Sequence, residues 1–524
     1  MTQIMFGHGV ASGDPLPTSV VLWTRVTPTP EALPGSGVGP DTSVTWQVAT
    51  SQAFSSIVKS GTVTTGTDRD HTVKVDATDL APGTTYWYRF VADGQNSPIG
   101  RTRTAPADET ATGKLRFGVV SCANYQAGFF SAYRHLAGQQ LDAVIHLGDY
   151  IYEYANGEYG LGQGNVVVRP QQPEHEILVL DDYRQRHATY KSDPDLQTLH
   201  ASAAFICTWD DHETANDAFI GGAENHDPAT EGDWEARRQA AFRAYDEWMP
   251  VRMSGTSAIG DGYQLYRRFR FGQLADLSML DLRTYRSAPG GAFDFTPIPD
   301  APNRKIAGDE QLGWLESGLV ESDAQWKLIG NPVMITPVLF PPLPNQVRDA
   351  LVDFAGLLPV EGQAYNTDQW DGYTVERRRV LEFLADHGII NTVFLTGDIH
   401  SGWACELPVN PGLAPFSTNI GTELVCSSVT SNNLKDIVGA PPRSVSVGVE
   451  TAIKTANRHI KYLDFDSHGY SVLEVTPSRL QMDWYVISDR ADPQATAAWS
   501  TSYSVEAGTQ RVQKVSAPTV GGAA

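Results

Sequence analysis

The feature that most constrains this chain is a short apolar run that stops at a glycine and an aspartate. Residues 143–147, Ala-Val-Ile-His-Leu, read as a buried strand, and Gly148 ends it so that Asp149 stands just past the carboxyl end. Open α/β sheets collect their ligands at that edge. Asp149 and Tyr152 lie three residues apart on one expected turn, so a carboxylate and a phenol can converge on one point.

Three further strand ends repeat the arrangement. Residues 115–120 form an apolar run closed by Ser121-Cys122-Ala123-Asn124, and 129–140 carry helical periodicity. With the strand at 141–147 they make a βαβ unit, so the two strands are expected to be parallel neighbours with Cys122 and Asp149 at adjacent ends. Residues 203–208 end in Trp209-Asp210-Asp211-His212-Glu213, and 391–396 end in Gly397-Asp398-Ile399-His400. Between these, helices are expected over 234–248, 309–320 and 375–387, a strand over 326–330, and a hairpin over 263–271 and 273–281 turning at Gly272. A second hairpin, 470–475 with 479–487, is expected to close the domain.

Residues 1–106 read differently. Short β-rich runs at 19–23, 43–49, 72–75 and 86–92 are divided by Gly, Pro, Thr and Asp turns. The stretch from Leu80 through Pro82-Gly83 to Tyr86 is similar to the turn and tyrosine corner of fibronectin type III and related sandwiches. The expected organisation is therefore an all-β domain at 1–106, a linker at 107–113, an α/β domain carrying the four strand-end clusters at 114–488 and a tail at 489–524.

Charge narrows the partners. Against 39 Lys and Arg stand 61 Asp and Glu, a formal charge of −22, which repels nucleic-acid backbones. A phosphate ester would then need positive charge supplied locally, as by metal ions. The four cysteines have no metal-finger spacing. Cys207 reads as a core residue, and whether Cys405 and Cys426 pair is left open by spacing alone. No stretch is long and apolar enough to span a membrane, and no basic-then-apolar leader precedes the first strand. A cytoplasmic protein or an exported one with its leader removed both fit, and export (secreted, extracellular or periplasmic) is the expectation.

Cys122, Asp149, Tyr152, Asp211, Asp398 and His400 thus all follow apolar strands and can all bind metal. Thiolate, phenolate and carboxylate are anions suited to a trivalent Lewis acid such as Fe3+. Asp211 and Asp398, with Asp149 as a bridge, offer oxygens suited to Ca2+, Mn2+ or Mg2+.

Taken together, Ser121-Cys122, Gly148-Asp149-Tyr150-Ile151-Tyr152, Trp209-Asp210-Asp211-His212-Glu213 and Gly397-Asp398-Ile399-His400 resemble the motifs of the PhoD-like alkaline phosphatase/phosphodiesterase family. That family is similar to purple acid phosphatases and the wider metallophosphoesterases. His8-Gly9-Val10-Ala11-Ser12-Gly13-Asp14-Pro15 also resembles the opening of its amino-terminal domain. The resemblance implies a four-layer α/β/β/α sandwich behind a fibronectin type III/Ig-like domain, export, and hydrolysis of phosphate mono- or diesters at alkaline pH. It implies Fe3+ on Cys122, Asp149, Tyr152 and His400, and Ca2+ on Asp149, Asp211 and Asp398, with Mn2+, Mg2+ or Zn2+ as other occupants of the second position. Carboxylates at 211 and 398 replace the Asn and His of the wider superfamily, which favours hard calcium over zinc.

In the expected reaction a metal-activated water attacks phosphorus in line, and His212 protonates the leaving alkoxide. A role for His212 in orienting Asp211 is its alternative. Arg283 is a candidate phosphate grip or a salt-bridge partner of Asp281 or another neighbour, with Asn124 and His468 as weaker pocket candidates and Asn331 as a residue near the second metal. Apolar segments within 333–360 either fill the core or meet a lipid surface, so phospholipase D activity with transient membrane contact is carried as an alternative. So is a non-catalytic secreted metal-binding protein. A monomer is expected.

Overall fold

The computed structural model describes residues 5–159, 167–253, 264–290, 300–340, 342–347 and 362–520. Its core is two sheets laid face to face. The first has ten strands in the spatial order Val512–Val515, Ala497–Glu506, Arg479–Ile487, Gly469–Val475, Leu115–Val120, Ala143–Leu147, Ala204–Thr208, Val10–Leu16, Ser19–Arg25 and Thr72–Ala77. The second has seven: Arg267–Phe271, Ala275–Met279, Trp326–Asn331, Thr392–Thr396, Asn419–Val425, Gly402–Pro408 and Ile460–Asp464.

The three central strands of the first sheet are buried throughout and mostly apolar because both of their faces are covered. Alternate residues point to opposite faces. Phe117, Val119, Ile145 and Leu147 meet Leu277, Met279, Val393 and Leu395 of the second sheet in one core. On the other face, Val144, Phe205 and Cys207 pack under helices Ser131–Ala137, Leu180–Lys191 and Trp234–Trp248. The outer face of the second sheet, through Ile329 and Phe394, is covered by helices Gly308–Glu321 and Thr374–Asp386.

Parallel register sets the site. Ala143 pairs with Phe117 on one side and Ala204 on the other, and Leu147 with Thr208, so the three strands end together. Trp326–Asn331 and Thr392–Thr396 are likewise parallel, with Asn331 opposite Thr396. Two glycines then let the strand-end turns approach. A Cβ at Gly148, where φ is +102°, would lie 2.5 Å from the Asp210 Cβ, and one at Gly397 would lie 2.7 Å from the Ser121 Cβ. The second contact brings the turn carrying Asp398 and His400 across from one sheet to the Cys122 turn of the other.

Residues 1–106 share three strands with the large sheet. Thr42–Ala49, Ile57–Thr65, Thr85–Ala92, Gln95–Asn96 and Gly100–Arg103 make their own sheet. It packs through Val44, Val48, Tyr88 and Phe90 onto Val20, Leu22 and Val73. Those last residues belong to strands that continue the ten-stranded sheet, where Gly13 pairs with Phe205. In the stretch read as a turn and tyrosine corner, the Ala81 N–H donates to the Tyr86 hydroxyl at 2.9 Å. The tail also differs from expectation: Ala497–Glu506 and Val512–Val515 extend the sheet beyond the hairpin that was to close it. Tyr503 and Val505 face the core there, a pattern that the surrounding Ser and Thr conceal. All four cysteines are buried and free, so Cys405 and Cys426 are not bonded.

Candidate metal centre

Six side chains from four strand ends meet at the shared edge of the two sheets. Ligand atoms of Cys122, Asp149 and His400 lie within 4.8 Å of one another, and so do those of Asp149, Asp210, Asp211 and Asp398. Asp149 belongs to both groups. The backbone at Cys122, Asp149, Asp398 and His400 is left-handed, with φ between +49° and +61°. Each such non-glycine residue costs about 1–2 kcal/mol, strain that sits on the residues expected to hold metal.

Tyr152 closes the first group. Its hydroxyl donates to Asp149 Oδ2 at 3.0 Å, accepts from Ser431 Oγ at 2.6 Å and stands 3.4 Å from His400 Nε2. His400 Nδ1 lies 2.6 Å from the Asn432 carbonyl, which fixes the proton on Nδ1 and leaves Nε2 with a lone pair toward Tyr152. Burial, with the Asp149 charge beside them, raises both the Cys122 thiol and the Tyr152 phenol well above their usual ranges. These ligands become anions only beside a cation.

The second group is acidic and carries its own counter-charges. Arg283 is 3% exposed. It meets Asp210 through Nε, Asp368 at 3.0 Å and Asp398 at 3.2 Å, with Asp211 at 3.6 Å. Arg286 holds Asp368 from the other side at 2.7 Å. Burial raises the Asp398 carboxyl well above the usual range, and Asp210 adds to the shift. Asp211 is held low: burial opposes this, but Arg283, His212 and the Asp217 N–H outweigh it. Gln369 donates to Asp398 Oδ2.

The other sequence candidates fall into place around these groups. His212 stacks on the Tyr152 ring at 4.2 Å, and its Nδ1 lies 2.7 Å from Glu153 Oε2. Burial would lower the imidazole's pKa, but Glu153, Asp211 and Asp149 carry it well above its ordinary value. Asn124 is buried as the cap of a short 3-10 turn, accepting from the Gln126 N–H. His468 is tied to Ser428, Asn433 and Asp436. Asn331 bonds Thr396 and Glu423 of the second sheet and Trp370 of the 3-10 turn Trp370–Gly372. Of the apolar segments, Leu339 is buried, Phe340 is partly exposed, and 354–359 lies outside the described residues.

Several contributors carry no signal that strand-end reasoning could find. Asp368 and Gln369 follow no apolar strand, and Ser431 and Asn432 stand six and seven residues beyond the end of Asn419–Val425. Glu213 lies inside a motif, but its task shows only in three dimensions. Its carboxylate accepts from the backbone N–H groups of Asp149, Tyr150 and Asp210, stapling two strand-end turns together.

The groups open on a cleft of about 390 Å³. Asp149, Asp211, Asp398, His212 and His400 line one part; Met334, Trp403, Leu434 and Phe465 line another. The residues fit a metal. Asp149 Oδ1 and Asp210 Oδ2 are buried with no hydrogen-bond partner, and repulsion among clustered carboxylates is relieved by a cation. Strand ends that converge on such an acidic pocket form a candidate metal centre of the kind a hydrolytic enzyme carries.

Comparison with known proteins specifies which. Residues 117–484 match the PhoD-like phosphatase model and residues 1–106 its N-terminal domain. The chain is 36% identical over 522 residues to alkaline phosphatase D of Bacillus subtilis (strain 168), covering 99% of this chain and 83% of that protein. It superposes on a solved structure of PhoD with a TM-score of 0.85 at 34% identity, covering 100% of this chain and 94% of the other. The chain belongs to the PhoD-like phosphatase family and is a phosphoric ester hydrolase.

Proposed function

We propose that the chain hydrolyses phosphate diesters in preference to monoesters. In this reading Cys122, Asp149, Tyr152 and His400 hold Fe3+, while Asp149, Asp211 and Asp398 hold Ca2+. The observation that carries the diester preference is that, among the described residues, the cleft lining contains no Lys or Arg, since Arg283 is committed to carboxylates behind it. A dianionic monoester brings one more negative charge than a diester into that acidic surrounding. When bound, the two ions supply Lewis-acid charge neutralisation and an activated water nucleophile.

The chain's own residues supply orientation and a proton. Glu153 fixes the ring of His212 through Nδ1, and the raised imidazole pKa keeps the second ring proton available to the leaving alkoxide. The Tyr152 ring beneath it limits tilting. Glu213 keeps Asp149 and Asp210 at fixed separation.

A second reading, cleavage of phospholipid head groups, is favoured by the apolar wall of Met334, Trp403, Leu434 and Phe465, which suits an ester with an apolar arm. We read the two sheets and their covering helices as the family's four-layer sandwich, and the protein as an exported monomer. The net charge of −22 suits a soluble partner-free surface, and no described helix is long and apolar enough to cross a membrane.

The test is a substrate panel on protein with its iron and calcium quantified. Turnover of bis-p-nitrophenyl phosphate is expected to exceed that of p-nitrophenyl phosphate. Faster monoester turnover defeats the diester reading, and faster phosphatidylcholine turnover selects the second.

A further inference from the structure

The metal centre occupies the carboxyl ends of the central strands. At their amino ends lies a second cleft, of about 540 Å³, with the opposite electrostatic character. Arg101 and Arg103 reach it from the strand Gly100–Arg103, Lys114 and Arg116 from the start of Leu115–Val120, and Asp142 from the turn before Ala143–Leu147. In a chain of net charge −22, four cationic side chains gathered around one cavity call for an explanation.

Local ion pairs use only part of that charge. Arg103 pairs with Asp142, and Arg116 with Glu474 at 3.0 Å. Lys114 has a looser approach to Glu474 at 3.8 Å. Two carboxylates therefore face four cations. Arg101 has no carboxylate within ion-pair distance among the described residues; its one hydrogen bond runs from Nη1 to the Ser202 carbonyl at 3.3 Å. Arg116 is 4% exposed, and its Nε is buried without a partner. Partial burial and the neighbouring Arg103 charge both depress the Arg101 guanidinium, and Asp142 opposes them only in part.

The Ser202 and Gly83 carbonyls, the Thr519 hydroxyl and two carboxylates leave the charge of this set unbalanced, and an oxyanion would balance it. We propose that the cleft formed by Arg101, Arg103, Lys114 and Arg116 binds a phosphate-type oxyanion, at a site separate from the metal centre. Arg116 and Cys122 lie six residues apart on either side of one strand, roughly 20 Å at ~3.3 Å per residue. An anion here cannot touch a reacting ester. Guanidinium groups bind phosphate through forked N–H pairs, and the unpaired nitrogens of Arg101 and Arg116 are such donors. The ion is either free phosphate, as released from monoesters, or a phosphate group carried within a longer molecule.

The experiment is equilibrium binding of inorganic phosphate and, separately, dimethyl phosphate to metal-loaded protein. Wild type is compared with the double variant R101Q/K114Q at equal metal content. The expected result is one more phosphate bound per chain in the wild type, with kcat/KM on bis-p-nitrophenyl phosphate unchanged in the variant. Tighter inorganic phosphate assigns the free ion; tighter dimethyl phosphate assigns a phosphate within a chain. Should the double variant not fold, K114Q alone alters an exposed side chain and is expected to weaken the non-catalytic binding event at least about three-fold. Equal stoichiometry and affinity in wild type and variant would overturn the assignment. Because turnover is read on the same samples, that failure is distinct from failure of the hydrolase reading.

Discussion

The two halves of the metal centre share Asp149 but solve opposite electrostatic problems. Cys122, Tyr152 and His400 are neutral until a cation draws protons from the thiol and the phenol, and burial makes those protons hard to lose. Asp210, Asp211, Asp368 and Asp398 form the charged half, and the protein has placed Arg283 and Arg286 against them. One half is held by neutral hydrogen bonds, the other by ion pairs. The difference teaches that the two cation positions are expected to fill under different conditions of pH, with only Asp149 linking them.

The sharpest break of the comparison is at that link. In the proposed reading Asp149→Ala removes a ligand from both halves, and it is expected to lower kcat/KM by at least about 10³-fold, beyond the ~10–100-fold typical of an outer contact to a metal site. Metal analysis is expected to show both equivalents reduced. Asp398→Asn is expected to reduce the calcium equivalent alone. Loss of a single metal in Asp149→Ala would show that the halves do not share it.

His212 faces both halves, and His212→Gln is expected to cost about 10²–10³-fold in kcat on esters with a poor leaving group. Glu153→Gln supplies the pH test. Burial lowers the imidazole pKa and Glu153 is the largest influence raising it, so removing that charge moves the pKa down. The reaction needs the protonated ring, whose population falls as pH rises through its pKa. The alkaline limb of the pH–rate profile is therefore expected to shift to lower pH in Glu153→Gln, and an unmoved limb would remove His212 as the proton donor.

Metal uptake by the neutral half is expected to be the more pH-dependent. Cys122 and Tyr152 must each release a proton on binding, so affinity falls as pH falls, and an unbuffered titration is expected to record about two protons per ion. Asp211 is held low and Asp398 alone of this half's own two ligands is raised, so the charged half releases fewer. Cys122→Ser is expected to weaken iron by more than the ~10–100-fold of an outer contact and to leave calcium unchanged. Equal proton release on filling both positions would erase the distinction.

The same contrast explains what the sequence disclosed. Cys122, Asp149, Asp211, Asp398 and His400 were legible because each follows a strand buried on both faces, whose apolar run marks its own end. The groups that tune them were not. Asp368 and Gln369 come from irregular backbone, and the Asn432 contribution is a carbonyl that any residue would provide. The fold shows the same limit. Ile57–Thr65 is a mostly exposed edge strand written in Lys, Ser and Thr, and Val10–Leu16 pairs through a Ser-Gly-Asp stretch. That stretch is anchored by the buried Asp14–Arg267 pair at 2.6 Å, a long-range contact with no local signature.

Arg283 gives the smallest expected effect and the finest test of independence. Its guanidinium reaches Asp210, Asp368 and Asp398 at once, a fork that an ammonium group cannot reproduce. Arg283→Lys keeps the positive charge and so avoids the ~3–5 kcal/mol cost of leaving a buried carboxylate with no partner. It loosens the orientation of Asp398, and calcium affinity is expected to fall no more than about 10-fold, the lower end for an outer contact. No Arg283 atom meets Cys122, Tyr152 or His400 within ion-pair or hydrogen-bond distance, so the iron equivalent is expected to stay whole. Loss of iron in Arg283→Lys would mean that strain passes through Asp149 from one half to the other, and that the two positions fill as one unit.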